Sequence, residues 1–100
     1  MITTPAAAAH RETLEETGWE AGALRPLVHF HPTNGLSDQV FHCFIADSAR
    51  EIGPPTDPGE AERIEWVSMP ELRRIARDNE MLDGLSLTAV TYALAFELLD

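Results

Sequence analysis

The chain has 100 residues, 44% of them hydrophobic, which suits one small domain and not two. Asp and Glu number 17 against 7 Lys and Arg, a formal charge of −10; this argues against nucleic acid and anionic membranes as partners, because both recruit a basic patch. Cys43 is the one cysteine, which excludes an internal disulfide framework and a cysteine zinc site.

In chain order, the first element reads as a helix. Thr4 suits the N-cap, Pro5 suits N1, and Ala6 to Ala9 are strong helix formers. Gly18 is a natural residue to end it. Two strands follow, one around Leu27, Val28 and Phe30 and one over Val40–Ala46, both rich in β-formers. The loop between them, around Asn34-Gly35, is too long for a tight hairpin. A Pro/Gly-rich stretch over Ile52–Gly59 leads to a third strand, Arg63–Val67. Pro70 then opens a helix capped by Ser68, and Ser86 caps a last helix running to Leu99. The order makes an α/β domain spanning 1–100. Three strands are few, and the chain opens directly on a helix, so further structure is expected ahead of Met1. No apolar run approaches the roughly 18 residues of a membrane span, and residues 1–9 lack the basic region of a secretory signal. A cytoplasmic protein is expected.

The stretch most informative about chemistry is Arg11-Glu12-Thr13-Leu14-Glu15-Glu16-Thr17-Gly18-Trp19. Residues three and four apart share a helix face, so Glu12, Glu15 and Glu16 lie together and repel one another. Arg11, four before Glu15, relieves one of them. A divalent cation such as Mg²⁺ or Mn²⁺, which prefers carboxylate oxygens, would relieve all three. A solvated acidic face is the plainer interpretation of these charges.

The order of residues here resembles the second half of the Nudix box, G-x(5)-E-x(7)-R-E-U-x-E-E-x-G-U, with U a bulky apolar residue. Arg11, Glu12, Glu15, Glu16, Gly18 and Trp19 match it, whereas Thr13 stands where the pattern has an apolar residue and Thr3 where it has its early Glu. Further along, His31–Asp38 resembles the Pro-Gly-x-Ser-(Asp/Glu) loop of ADP-ribose and nucleoside-diphosphate-sugar pyrophosphatases. Glu60–Val67 resembles their acidic loop, and Asp83–Thr88 the turn into their last helix. The resemblance implies a Nudix-type α/β/α sandwich with a mixed sheet whose first strands precede this sequence, since the opening Gly of the pattern would fall before Met1.

It also implies the chemistry: hydrolysis of the diphosphate bond in a nucleoside diphosphate linked to another moiety, such as ADP-ribose or a nucleotide sugar. Glu12, Glu15 and Glu16 would be metal ligands for Mg²⁺ or Mn²⁺, and Arg11 would orient a carboxylate. Glu62, with Glu60 beside it, would be the base, and Ser37 and Asp38 would contact the diphosphate. Asn34, where the related loop has Pro, weakens the case for ADP-ribose in particular. Turn capping by Ser37 and Asp38 beside Gly35 is an equally good reading of those two residues.

The remaining residues carry less. His29 and His31 share strand parity, but two such residues without a third ligand read as structural. Trp19 and Trp66 suit core or interface packing better than base stacking, and Cys43, within an apolar run, reads as buried and inert. An exposed sheet edge invites self-pairing, so a homodimer is expected. The alternative to an enzyme is a truncated, catalytically silent Nudix-like chain acting as an oligomerising or interaction module.

Overall fold

The computed structural model describes residues 3–57 and 64–99. In chain order the elements are α1 (Pro5–Thr17), β1 (Trp19–Ala21), β2 (Arg25–Phe30), β3 (Phe41–Ile45), β4 (Ala49–Glu51), α2 (Met69–Arg77) and α3 (Gly84–Ala95). The mixture of helix and short antiparallel strand is the α/β character expected of the chain. Its residues gather into two compact units, Met1–Pro26 with Phe44–Ile64, and Leu27–Cys43 with Glu65–Asp100.

In the first unit, α1 begins where Thr4 Oγ1 accepts the Ala7 N–H at 3.1 Å, with Pro5 in the first turn where its missing donor costs nothing. It ends at Gly18, whose φ of 78° is left-handed and whose N–H bonds the Leu14 carbonyl at 2.8 Å. The chain then runs straight into β1, which pairs antiparallel with β4 in the register Trp19↔Glu51, Glu20↔Arg50, Ala21↔Ala49. Glu20 and Arg50 are directly opposed, and their side chains close an ion pair at 2.6 Å. His10 on α1 lies 3.0 Å from the Ala21 carbonyl through Nε2. A carbonyl can only accept, so Nε2 carries the proton in that bond and ties helix to strand.

The second unit holds most of β2 and of β3, which pair with each other. The His29 and His42 rings stack at 5.8 Å, and Phe30 meets Phe41 edge-to-face at 5.6 Å. Alternation along each strand puts the two histidines on the exposed face, while the phenylalanines lie on the face that carries buried Cys43. Burial pushes the Cys43 thiol upward, which leaves it a poor nucleophile. α2 starts at Ser68, whose hydroxyl accepts the Glu71 N–H at 3.3 Å, and packs against α3. α3 starts at Asp83: its Oδ2 accepts from Ser86 N at 3.0 Å and Ser86 Oγ at 2.9 Å.

Several boundaries differ from those expected. The last helix is capped by Asp83 and not by Ser86, because Asp83 captures both donors of Ser86. It stops at Ala95, short of Leu99. Over Ile64–Val67 no strand forms, and Arg63 lies outside the described residues. Strand propensity reports fit to a half-buried pleated surface, whereas Ile64, Trp66 and Val67 are exposed. Trp66, 73% exposed, is therefore not a core residue; Trp19 in β1 is half-buried. Among the described residues only Cys43, Ile45 and Ala93 are buried apolar side chains.

Candidate active site

α1 is the element that carries the acidic residues. Its 3.6-residue period sets Glu12, Glu15 and Glu16 on one face, near the end that Gly18 closes. The Arg11 guanidinium lies between two of them, with Nη2 3.4 Å from Glu12 Oε1 and Nε 3.6 Å from Glu15 Oε1. Both carboxylates are well hydrated, at 57% and 41% side-chain exposure, so these are surface ion pairs of small energy. Among the described residues no ion pair reaches Glu16.

The donor chemistry of this face suits a hard divalent ion, since it offers carboxylate oxygens alone. The side chains are not gathered for one: among the described residues no three His, Cys, Asp or Glu stand close enough together to hold a metal ion. The physical reason is electrostatic. Like charges on an exposed helix face spread into water, and here Arg11 supplies the countercharge to Glu12 and Glu15.

The surroundings of this helix end are firmer than its side chains. The Gly18 carbonyl accepts from Ile52 N at 2.9 Å and Gly53 N at 3.4 Å, and the Glu15 carbonyl accepts from Asp57 N at 2.8 Å. The segment after β4 thereby folds over the end of α1. Between them lies a cleft of about 190 Å³, lined by residues that include Leu14, Glu15, Gly18, Ile52 and Pro54. Gly18 is required twice over here. Its φ is left-handed, and a Cβ at this position would lie 2.0 Å from the Gly53 carbonyl oxygen. The glycine and its turn are legible in the sequence; the close approach of another backbone segment, 35 residues later in the chain, is not.

The other expected site residues are placed as follows. Glu60 and Glu62 lie outside the described residues. Ser37 is engaged locally: its hydroxyl lies 2.5 Å from Thr33 Oγ1, its N–H donates to the Thr33 carbonyl at 3.0 Å, and its Oγ accepts from Gln39 N at 3.3 Å. These bonds hold the turn that carries Ser37. Asp38 is exposed beside it. Ser37 and Asp38 belong to the second unit, and Arg11, Glu12, Glu15 and Glu16 to the first.

Comparison with known proteins follows the same stretch of chain. The NUDIX domain profile matches residues 3–85. A CMP-5'-(N-acetyl-N-hydroxy-3-aminopropyl)phosphonate hydrolase of Streptomyces rubellomurinus is 36% identical over 73 residues, 73% of this chain and 35% of that protein. A GDP-mannose pyrophosphatase of Salmonella arizonae is 30% identical over 91 residues, covering 88% of this chain and 48% of its own length. An ADP-ribose pyrophosphatase of Bacillus subtilis is 27% identical over 90 residues, with 88% and 49% covered. The chain thus spans about half the length, or less, of these curated relatives.

Proposed function

Since this chain belongs to the NUDIX domain family, we propose that it is part of a hydrolase that cleaves the diphosphate bond of a nucleoside diphosphate linked to another moiety, with Mg²⁺ or Mn²⁺. The observation that carries the reading is α1: Glu12, Glu15 and Glu16 on one helix face, Arg11 between two of them, and a left-handed Gly18 at the close. Two relatives whose names state pyrophosphatase activity, on GDP-mannose and on ADP-ribose, support the substrate class.

In this reading Glu12, Glu15 and Glu16 would hold the ions, which would supply positive charge to offset that of the diphosphate. Arg11 keeps Glu12 and Glu15 on the shared face. Glu62, with Glu60 beside it, accepts the proton of the attacking water. Ser37 and Asp38 contact the diphosphate. Water adds to one phosphorus, the bridging P–O bond breaks, and the products are a nucleoside monophosphate and a phosphorylated leaving moiety. With a formal charge of −10, the protein binds so anionic a substrate only with cations between them. A reducing cytoplasmic setting and a homodimer complete the proposal; the lone unpaired Cys43 fits the first.

The test is release of monophosphate from GDP-mannose and ADP-ribose in the presence of Mg²⁺ or Mn²⁺. Glu15→Gln and Glu16→Gln each remove a proposed ligand, so the rate should fall by more than the roughly 10- to 100-fold that loss of a group supporting a metal ligand costs. Turnover unchanged in both variants rejects the reading. A second reading, a catalytically silent chain that serves as an oligomerising module, is favoured by the exposure of Tyr92 on α3 and of Phe96, its C-cap; absence of turnover in an intact oligomer selects it.

A further inference from the structure

β2 and β3 each carry one exposed histidine, and neither has a role in the reading above. By parity along the sequence His29 goes with His31, but β2 ends at Phe30 and His31 lies beyond it. The structure gives His29 a different neighbour: the His42 ring, 5.8 Å away between ring centres and with 28° between the planes. Both residues belong to the second unit. On the opposite face Phe30 meets Phe41 one step along each strand, so the pairing of the strands, and not the side chains alone, sets the two histidines together.

Two neighbouring imidazoles can bind an anion when protonated or share a cation when neutral. The formal charge of −10 favours the cation. A ligating nitrogen lies about 2.1 Å from zinc and the ring centre roughly 1 Å behind it, so two rings on one tetrahedral ion have centres about 5 Å apart. The observed 5.8 Å is close to that spacing. The ring planes are nearly parallel, so the rings must turn about χ2 to aim a nitrogen each at one ion. That torsion is broad for histidine, and both side chains are exposed. Among the described residues no hydrogen bond or ion pair holds either ring, whereas His10 already spends Nε2 on the Ala21 carbonyl.

We propose that His29 and His42 form a two-histidine chelate for a divalent transition ion, Zn²⁺ or Cu²⁺, with water in the remaining positions. Imidazole suits these ions, whereas Mg²⁺ takes oxygen ligands. Among the described residues no third His, Cys, Asp or Glu joins the pair, so the ion is held by two protein bonds and stays exchangeable. The assignment rests on the β2–β3 pair alone and not on diphosphate hydrolysis or on the carboxylates of α1.

The experiment titrates the full, isotopically labelled chain with Zn²⁺ in slightly alkaline buffer, where imidazole ligates in its neutral form. Excess Mg²⁺ occupies the carboxylates, and NMR follows the rings of all four histidines. The His29 and His42 rings should shift together and saturably, those of His10 and His31 should stay, and Mg²⁺ alone should move none. Cu²⁺ should broaden the same two rings at lower concentration, as its higher affinity for nitrogen ligands requires. His42→Phe keeps a flat, strand-favouring ring and removes the nitrogens. It should weaken Zn²⁺ binding at His29 on the order of 100-fold, the scale of losing one of two joined ligands. Unchanged Phe30 and Phe41 ring signals show that the strands remain paired, and His29→Phe is the reciprocal variant. A shift at one ring only, a like shift at all four, a response to Mg²⁺ equal to that to Zn²⁺, or undiminished affinity in the two variants overturns the proposal.

Discussion

Three residues end the three helices in the left-handed region: Gly18 at φ 78°, Asn79 at φ 59° and Glu97 at φ 56°. Glycine bears that conformation without cost and asparagine with little, whereas glutamate has no local means of offsetting it. In each case the reversed backbone satisfies helix carbonyls: Gly18 N–H bonds Leu14, Glu80 N–H bonds Ile75 at 2.9 Å, and Leu98 N–H bonds Ala93 at 2.8 Å. The end of α1 was therefore legible from its glycine, while the end of α3 was not, because Glu97 bears none of the marks of a helix stop. Gly18 also yields a prediction at this scale. Gly18→Ala should destabilise the first unit by at least about 2 kcal/mol, through the left-handed φ and the collision with the Gly53 carbonyl. Thermal unfolding by circular dichroism measures it, and a melting temperature within a degree or so of the natural chain would show that the segment after β4 does not rest on α1.

At the scale of the element, caps were readable because they are local. Thr4 and Ser68 each sit three residues before the N–H they bind. At the start of α3 two cap-type residues compete three positions apart, and Asp83 prevails by taking both donors of Ser86. β1 and β4 were missed for the opposite reason. Each has three residues, too few for alternation to show, and each exists through pairing with a partner about 30 residues away. α2 is tied by a clasp of charges to the residues that follow it. The Arg74 guanidinium reaches Glu71 at 2.6 Å, Glu80 at 2.7 Å and Asp78 at 3.4 Å, and it is held firmly protonated, first by Glu71 and then by Glu80.

Three carboxylates are correspondingly held low: Glu71 by its hydrogen bonds from Arg74, Asp78 first by Arg77, and Asp83 first by the Ser86 backbone. Groups whose values fall on folding bind protons less readily when folded. The stability they add is present above the unfolded carboxylate range and is lost as pH drops through the lowered values. Helical circular dichroism should accordingly hold steady down to about pH 5 and decline between there and about pH 2. Arg74→Met, which releases Glu71, should move that decline to higher pH, and an unmoved profile would show that the clasp contributes nothing.

For the molecule as a whole, the described residues bury little apolar surface and expose much of it. Leu85 and Tyr92 on α3 and Phe96 at its C-cap, seven and four residues apart, lie along one stripe and are 40%, 37% and 63% exposed, and the Tyr92 and Phe96 ring centroids are 4.8 Å apart. A stripe of this kind on a largely apolar helix is suited to a second copy of the chain. Sedimentation equilibrium should give twice the chain mass, and Tyr92→Asp with Phe96→Asp should return it to one; a monomer in the natural chain rejects the homodimer. Among the described residues no helix is long and apolar enough to cross a membrane.

What the order of amino acids settled by itself was whatever depends on neighbours within one helical turn. The start and end of α1, the cap of α2 and the single face shared by Glu12, Glu15 and Glu16 all follow from spacing along the chain, and so does the resemblance that family membership bears out. Tertiary structure alone decided what depends on distant partners. It brought Gly53 onto Gly18, paired β1 with β4, stacked His29 on His42, and set Asp83 in the lining of one cleft with Phe30 and Phe41. The divide is physical: a cap or a face is fixed by a few dihedrals, whereas a ladder or a cleft forms only when burial and hydrogen bonding elsewhere offset the entropy of closing a long loop.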